Sequence, residues 1–401
     1  MRRQDSLAWL VFFVIVVDLI GFGIVIPILP FLSPELGGGA DDIALILVSY
    51  SAAAAVVAPI WGRLSDLVGR RNILAVCLLG SAFSHFLLAG AEVLWTVYLA
   101  RAIAGLMAGS LPVATALIAD NSDPDQRARA MGLIGRAFGF GLVLGPVIGG
   151  VLSRSESDFS LPFVVAGGLS IIAALMAQFL LPQDANSKYS LSRNTENKIS
   201  PEDTVPSLIS MLRQSQSALF VCQFILHTCA ISATIYLFPL WVADYLSWQA
   251  QEVGLFFGLV GIVMIITQGN ILGWLTIRFG ALKVLRAGAL VFSLSLGIAS
   301  MANSFWAITL LGLSAFSAAT MCQPVLNTIA SEIVPRAWRG QFFGLTTSAA
   351  AAGRIVGPLL ASLMLIEGGY TLAWLGNAAV VMVVVIWTAT LGARYDLQQD
   401  R

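Results

Sequence analysis

Long apolar runs, each close to the length of a membrane-crossing helix, make up most of this sequence and are separated by short polar segments. A helix needs about 20 apolar residues to cross a hydrocarbon core of about 30 Å, whereas the strands of an outer-membrane barrel alternate apolar and polar residues, and that alternation is absent. Hydrophobic residues make up 58% of the chain and charged residues only 11%, which excludes an ordinary soluble domain. The sequence therefore predicts an all-α membrane protein.

Twelve runs are long and apolar enough to be membrane spans, and we number them 1 to 12. They cover residues 7–31, 44–64, 73–90, 94–119, 130–152, 161–181, 218–243, 253–274, 282–301, 305–330, 342–365 and 370–391. The first run is too long for a signal-peptide core and no small-residue cleavage site follows it, so we expect it to be retained as a span. The four cysteines all fall within spans and are expected to be free thiols.

Basic residues are concentrated on one side of the predicted spans. If the N-terminus is cytoplasmic, eighteen of the twenty-two Lys and Arg residues fall in inner segments. Of the other four, Arg154 falls in an outer loop, and Arg101, Arg136 and Arg354 fall within spans. Because short cytoplasmic loops are enriched in Lys and Arg, both termini are predicted to be cytoplasmic. The short loops and bare termini favour the inner membrane of a prokaryotic cell.

One long hydrophilic segment, residues 183–217, interrupts the succession of spans. It is rich in Ser, Asn and mixed charges and has no sustained apolar period, so we predict a flexible cytoplasmic linker. The linker divides the chain into an N-terminal half, residues 1–182, and a C-terminal half, residues 218–401. Each half contains six predicted spans.

The two halves share Gly and Pro positions at a nearly constant offset. A shift of 212 residues superposes Pro112 on Pro324, Asp120 on Glu332 and Gly145-Pro146 on Gly357-Pro358, and a shift of 211 superposes Gly62 on Gly273 and Gly69 on Gly280. Six spans return the chain to its starting side, so the repeats would be parallel. Parallel six-span repeats are typical of transporters in which one half rocks against the other around a site near the bilayer midplane.

The stretch 61-WGRLSDLVGRR-71 is unusually rich in charge for this chain and lies between spans 2 and 3. Its glycines, Gly62 and Gly69, permit tight turning and close approach of another helix, and its arginines would hold the turn on the cytoplasmic side. Orientation alone explains the arginines but does not require Asp66. The pattern therefore favours a polar contact that involves this carboxylate.

Asp18 is the one carboxylate predicted near the membrane midplane. It lies about eleven residues into span 1 and hence about 16 Å deep at 1.5 Å per residue. An ionised acid at that depth is costly, so we expect Asp18 to face a polar cavity and to exchange a proton. Arg101 of span 4 is predicted at a similar depth and is the expected partner. A permanent buried ion pair that serves only packing is the alternative.

Span 5 contains the run 141-GLVLGPVIGG-150. Glycines four residues apart, Gly141, Gly145 and Gly149, form a smooth helix face for close packing, and Pro146 removes a backbone hydrogen bond and bends the helix. Such a face could serve any pair of helices.

These motifs together resemble those of a known family. With 18-DLIGFGIVIPILP-30 in span 1 and 99-LARAIAG-105 in span 4, the charged turn and the span 5 run resemble the major facilitator superfamily. The resemblance is closest to its twelve-span drug:proton antiporters and to their tetracycline-resistance-protein-like branch. It is dense over residues 7–152 and weaker in the second half, where Ile277 stands at the position of the turn carboxylate.

The resemblance implies a fold of two pseudo-symmetric six-helix bundles and assigns roles to two of the motifs. The turn would form a cytoplasmic gate in which Asp66 meets the N-terminal end of span 11. The span 5 run would be the antiporter motif, which keeps the cavity from leaking. The gate would comprise Gly62, Asp66, Gly69, Arg70 and Arg71, and the antiporter motif Gly141, Gly145, Pro146, Gly149 and Gly150.

Two departures from that branch concern the substrate. Its members carry a carboxylate within span 3, where this chain has Ser84 beside His85, and we find no acid in span 9, which argues against tetracycline itself. Basic and titratable residues favour an organic anion or a zwitterion, although the histidines could be neutral and hydrogen-bonded and Arg136 could snorkel. The candidate cavity residues are Phe22, Ser84, His85, Arg136, His227, Tyr236 and Arg354, with Phe138 and Phe238 as further possible lining residues.

The leading hypothesis is a secondary active transporter that uses the proton gradient to expel amphipathic small molecules or drugs. The alternatives are a proton-coupled uptake symporter for an organic anion or another metabolite, and a non-transporting receptor on a transporter scaffold. No phosphate-binding Gly-x-x-x-x-Gly-Lys run and no metal-ligand or nucleophile–base pattern occurs, so we expect neither an enzyme nor a cofactor or metal. The expected partners are a small-molecule substrate, protons and the lipid bilayer, without nucleic acid, and we expect a monomer.

Overall fold

The computed structural model describes residues 3–121, 124–153, 159–181, 215–333 and 339–399. Within these ranges the regular structure is helical and contains no strand, which confirms the all-α prediction. Most of the predicted linker, residues 183–214, lies outside the described residues.

The described helices account for twelve membrane spans. Nine helices in the described part of the chain are long and apolar enough to cross a membrane, and the last of them, Phe342–Ala389, is broken at Gly368 and Gly369 and supplies two spans. Eight single spans and these two, with the shorter apolar helices Gly139–Leu152 and Ala250–Ile266, make twelve.

The helix bounds follow the predicted spans with local differences. Spans 1 to 6 are formed by Arg3–Val25, Ala40–Val68, Arg70–Ala89, the pair Leu94–Leu106 and Ser110–Asn121, Pro124–Leu152 and Ser160–Leu180. Spans 7 to 12 are formed by Ser215–Leu246, Ala250–Ile266 with Leu272–Phe279, Ala281–Ala299, Phe305–Ile333 and the two parts of Arg339–Gln399. A π-helical segment, Thr267–Ile271, joins the two parts of span 8.

Span 1 is shorter than predicted. Its helix ends at Val25 instead of continuing to residue 31, and a separate short helix, Leu29–Glu35, follows. Pro27 has no N–H group and its ring would clash with a carbonyl of the preceding turn, so the helix ends just before it. The Ile26 N–H instead donates to the Gly23 carbonyl, one residue closer than in an α-helix, at 3.3 Å.

The turn between spans 2 and 3 consists of a single residue, so the expectation that the whole charged stretch forms a turn is wrong. Span 2 continues to Val68 and span 3 begins at Arg70, and Gly69 between them has φ 104° and ψ 138°. Gly280 performs the same task between spans 8 and 9 with φ 85° and ψ 146°. Residues other than glycine rarely adopt a positive φ, whereas glycine does so readily, so one glycine is sufficient to change the chain direction.

The described residues divide into two compact units. Unit 1 contains the described residues up to 181 together with Trp248–Gly261, and unit 2 contains residues 215–247 and the described residues from 262 onward. In unit 1, span 1 packs against spans 5 and 6, and span 3 packs against span 6. In unit 2, span 7 packs against the long helix Arg339–Gln399, and span 9 packs against span 10. The division into halves at residues 183–217 stays a prediction.

Candidate functional site

Span 4 is broken in the middle of unit 1. The helix stops at Leu106 and resumes at Ser110, and the indole N–H of Trp61 donates to the Leu106 carbonyl at 2.6 Å. Gly109 sits in the break where a Cβ would lie 2.8 Å from the Cys77 sulfur and within 3 Å of the Trp61 ring. The Trp61 side chain of span 2 thus replaces a helical hydrogen bond that is lost at the break, and Gly109 allows the two spans to pack closely.

Asp18 meets span 4 at the residue that follows this break. The Ser110 hydroxyl donates to the Asp18 carboxylate at 2.5 Å, and Asp18 is partly exposed rather than fully buried. A charge-assisted hydrogen bond of this kind stabilises the ionised form of the acid. Sequence reasoning missed Ser110 because only the break in span 4 turns its hydroxyl toward span 1.

Arg101 is not paired with Asp18, contrary to the expected partnership. Among the described residues, no carboxylate oxygen lies within 4.0 Å of the Arg101 guanidinium. The guanidinium instead stacks over the Tyr50 ring with its carbon 4.5 Å from the centroid, and Tyr50 packs on Phe22 with centroids 5.4 Å apart. Arg101 is only 3% exposed, so this stacking occurs inside unit 1.

Ser84, His85 and Ser170 surround the same region. The Ser84 hydroxyl donates to the Ala100 carbonyl at 2.8 Å, next to Arg101, and His85 lies within electrostatic range of Arg101. A Cβ at Gly21 would lie 3.3 Å from the Ser170 hydroxyl and 3.6 Å from His85 Nε2. We call Tyr50, Ser84, His85, Arg101 and Ser170 the Arg101 cluster. Spans 2, 3, 4 and 6 each contribute to it.

A second polar cluster lies at the end of span 2. Arg70 Nη1 donates to the Ser65 hydroxyl at 2.6 Å, Nη2 pairs with Asp66, and Nε pairs with Asp120 of span 4 at 3.1 Å. We call Ser65, Asp66, Arg70 and Asp120 the Arg70 cluster. The Asp66 and Asp120 side chains are about half exposed, whereas that of Arg70 is largely covered. In the sequence Asp120 stands out as a repeat position and as part of the resemblance to the tetracycline-resistance-protein-like branch, but its contact with Arg70 was not predicted.

The other three residues of the predicted gate form few polar contacts. Arg71 Nη1 donates to the Leu181 carbonyl at 3.4 Å, and its Nε has no hydrogen-bond partner. A Cβ at Gly62 would meet nothing within 4 Å, so close packing does not explain this glycine in the structure. Gly69 is explained by its positive φ.

The glycine face of span 5 packs against span 1 without intervening side chains. A Cβ at Gly145 would lie 2.6 Å from the Gly23 Cα, and a Cβ at Gly149 would lie 3.0 Å from the Ile24 Cα. A Cβ at Gly141 would overlap the Leu19 side chain. Backbone thus contacts backbone along two turns of helix.

The same motif also contacts the start of span 8, within unit 1. A Cβ at Gly150 would lie 2.9 Å from the Ala250 carbonyl oxygen, and a Cβ at Gly254 would overlap the carbonyl of Pro146. Span 5 is therefore held between two backbones, and a side chain would force either of them away.

The remaining cavity candidates lie apart from the Arg101 cluster or outside unit 1. Arg136 and Arg354 are exposed, and Tyr236 and Phe238 of span 7 are buried. His227 is 1% exposed, hydrogen-bonds to the Ala319 backbone and has an unpartnered Nε2, and Gln223 one turn before it has an unpartnered Oε1. The Phe138 side chain lies outside the described residues.

Three sets of comparisons with known proteins agree on one family. A family model described as Major Facilitator Superfamily matches residues 11–272 and 219–398. The class E tetracycline resistance protein of Escherichia coli is 30% identical over 365 residues, which cover 90% of this chain and 87% of that protein. The quinolone resistance protein NorA of Staphylococcus aureus is 26% identical over 382 residues, which cover 94% and 95%.

Solved structures resemble the fold along nearly the whole chain. The human organic anion transporter MFSD10 (TETRAN) has a TM-score of 0.72 at 21% identity and covers 97% of this chain and 100% of its own. The nucleoside transporter NupG has a TM-score of 0.75 at 14% identity and covers 97% and 99%. At these identities the likeness concerns the fold, and it confirms twelve spans in two six-helix bundles. The chain therefore belongs to the major facilitator superfamily and is a membrane transporter.

Proposed function

We propose that this transporter is a proton-coupled antiporter that exports amphipathic small molecules by alternating access. The observation that carries the proposal is Asp18, a partly exposed residue within span 1 whose carboxylate accepts a 2.5 Å hydrogen bond from Ser110. An acid within a span that is hydrogen-bonded to a hydroxyl donor can bind and release a proton if water reaches it, and acids within membrane spans usually mark function. The partial exposure supports access by water, which a sealed ion pair would lack.

In this proposal the two protonation states of Asp18 differ in how they hold span 4. The ionised carboxylate accepts the Ser110 hydrogen bond, and protonation weakens that bond because the charge is lost. Ser110 begins the second part of a broken helix, so the weakened contact lets that part move relative to span 1. Substrate that enters from the inside favours loss of the proton, and the proton gradient restores it from the outside.

The Arg70 cluster is the proposed cytoplasmic gate. One guanidinium joins a hydroxyl and two carboxylates from two spans, so its contacts can be broken and remade as a unit. Both termini are proposed to lie in the cytoplasm and the protein in the inner membrane.

The names of the relatives support export of amphipathic compounds. The relatives are named for resistance to tetracycline and to quinolones, and such resistance is a natural consequence of export. The second candidate is uptake of an organic anion by proton symport, which the unpaired Arg101 guanidinium favours.

The direction of proton-driven flux decides between them. In inside-out vesicles with an acidified lumen, we expect accumulation of a fluoroquinolone, since protons leaving the lumen drive an antiporter to fill it. A symporter would empty the lumen under the same gradient. Collapse of the gradient with a protonophore should abolish accumulation, and accumulation that persists would contradict proton coupling.

A further inference from the structure

The Arg101 guanidinium is a buried cation whose charge is not balanced by a protein carboxylate. Its Nε and Nη1 are buried without hydrogen-bond partners, and the side chain is 3% exposed. The described residues offer no carboxylate within 4.0 Å of it, because Asp18 is engaged with Ser110 instead. A buried guanidinium without a carboxylate partner is strongly unfavourable, so its surroundings favour binding of an anion.

Other unsatisfied polar atoms lie in the same region. The His85 Nδ1 and the Ser170 hydroxyl are also buried without partners. The Ser170 hydroxyl and the His85 Nε2 both lie close to Gly21, at 3.3 Å and 3.6 Å from the position a Cβ would take, so spans 1, 3 and 6 meet at this glycine. Buried polar groups are normally hydrogen-bonded, so these polar atoms from three spans provide hydrogen-bonding capacity for a polar ligand.

The surroundings of Arg101 indicate the chemistry of that ligand. Tyr50 covers one face of the guanidinium and leaves its N–H donors free at the edge, where a carboxylate can accept two hydrogen bonds at once. Phe22, packed on Tyr50, provides an apolar surface beside the charge. This combination suits a molecule with an acidic group on an aromatic or apolar body.

We propose that the Arg101 cluster binds the carboxylate of an aromatic organic anion or zwitterion and so defines the substrate class of this transporter. The inference rests on the proposed export function for its biological meaning, but the binding itself requires neither a proton gradient nor export. Uptake of the same class of molecule would need the same site.

The test measures the equilibrium binding of naphthoate and of the uncharged naphthamide to the purified full-length protein by calorimetry. We expect wild-type protein to bind naphthoate at least about tenfold more tightly, and Arg101→Gln to remove that preference because the charged hydrogen bonds are lost. Arg101→Lys should lose part of it, since an ammonium lacks the planar donor arrangement. Equal binding of both compounds by wild type, or an unchanged preference in Arg101→Gln, would overturn the proposal.

Arg278→Gln is the matched control. Arg278 also stacks on an aromatic ring, at 6.0 Å from the Trp274 centroid, but it is exposed, so its loss should leave the preference unchanged. If Arg101→Gln is not recovered as a folded protein, Ser170→Ala and His85→Gln should each weaken naphthoate binding severalfold without affecting naphthamide. No selective loss in either variant would contradict the site.

Competition with inorganic anions separates an organic ligand from a simple counterion. Chloride or inorganic phosphate should displace naphthoate only weakly, since neither contacts the aromatic surface. Displacement by either ion at affinities similar to that of naphthoate, lost in Arg101→Gln, would assign the site to an inorganic ion and overturn the substrate class. Failure of the vesicle flux test with a positive binding result would refute the proposed export while leaving the carboxylate site in place.

Discussion

The two units share their backbone geometry but differ in charge. Gly23 of span 1 lies against Gly145 of span 5, and Ser232 of span 7 lies against Gly357 of span 11, which the repeat pairs with Gly145. The Ser232 hydroxyl also contacts the Gly353 carbonyl, at 3.3 Å. The same two helices of each repeat are therefore joined through the same small-residue positions.

This register places two titratable residues, Asp18 and His227, in corresponding positions. Asp18 lies five residues before Gly23, and His227 lies five residues before Ser232. Asp18 contacts Ser110 of span 4, and His227 contacts the Ala319 backbone of span 10, which is the repeat of span 4. A shift of 212 residues, which aligns span 5 with span 11, would not align Asp18 with His227.

The positions around the single-glycine turns differ more strongly. Gly69 and Gly280 share a backbone conformation, yet Asp66 and Arg70 of unit 1 correspond to Ile277 and Ala281 of unit 2. Ile277 is 89% exposed and joins no charged cluster. The comparison teaches that the repeat preserves the backbone shape of these turns, whereas the charged residues Asp66 and Arg70 of unit 1 are replaced by uncharged residues at the corresponding positions of unit 2.

The largest expected effect comes from substitutions of the titratable residues at corresponding positions of the two units, Asp18 and His227. Asp18→Asn should lower proton-driven accumulation by about a hundredfold, in the range that loss of a proton-transfer group usually costs, while His227→Gln should lower it much less. The exposed Glu92 provides a control, and Glu92→Gln should transport normally at equal membrane insertion. Equal losses in the two variants would break the asymmetry between the units, and normal transport by Asp18→Asn would refute the proposed coupling.

The glycine faces provide the next largest effect. Gly145→Ala and Gly357→Ala should each destabilise the purified protein by about 1–3 kcal/mol, because both helix pairs lack room for a methyl group. Thermal unfolding in detergent measures this. Gly168→Ala in span 6, where a Cβ meets nothing within 4 Å, should not destabilise. A proton leak in Gly145→Ala but not in Gly357→Ala would sharpen the comparison. Both helix pairs are closely packed, so the leak would have to depend on the antiporter motif, which is complete only in span 5.

The Arg70 cluster should show a graded response. Arg70→Ala should slow transport about tenfold, since it removes the charged contacts to Ser65, Asp66 and Asp120 together. Asp120→Asn should slow it only a few fold, because a half-exposed ion pair contributes about 1 kcal/mol or less, and added salt should reduce the difference. Flux in vesicles at low and high salt measures both, and an Asp120 effect as large as that of Arg70 would contradict the ranking.

Restoring an acid to unit 2 should have the smallest effect. Ile277→Asp places a carboxylate at an exposed position of unit 2, where Ala281 stands in place of Arg70 and offers no charge to pair with. The free energy of unfolding should therefore change by no more than about 0.5 kcal/mol, and transport should be unchanged. A marked gain or loss of transport would mean that this turn also takes part in gating.

Much of the architecture follows from local patterns. The apolar runs predict the twelve spans, and the repeated Gly and Pro residues predict related halves, because hydrophobic length and backbone freedom act within a few residues. The end of span 1 was mispredicted although Pro27 was visible, since an apolar run continues past the proline without revealing that the helix stops there.

The partners of the functional side chains were not predictable in the same way. Asp18 was expected to meet Arg101 because both lie at similar depth, but depth does not specify the rotation of a helix about its axis. The break in span 4 directs Ser110 toward Asp18, and the packing of spans 2 and 4 places Tyr50 beneath Arg101. Neither contact has a sequence signal of its own.

By itself, the sequence determined that this protein spans a membrane with two related sets of helices and carries charge at a few buried positions, since burying an apolar run in lipid depends mainly on its length and composition. Only the tertiary structure decided which buried groups are satisfied and which are left without a partner. Hydrogen bonds and ion pairs depend on angles and on distances of a few ångströms between helices far apart in the chain, and no spacing within one helix encodes them.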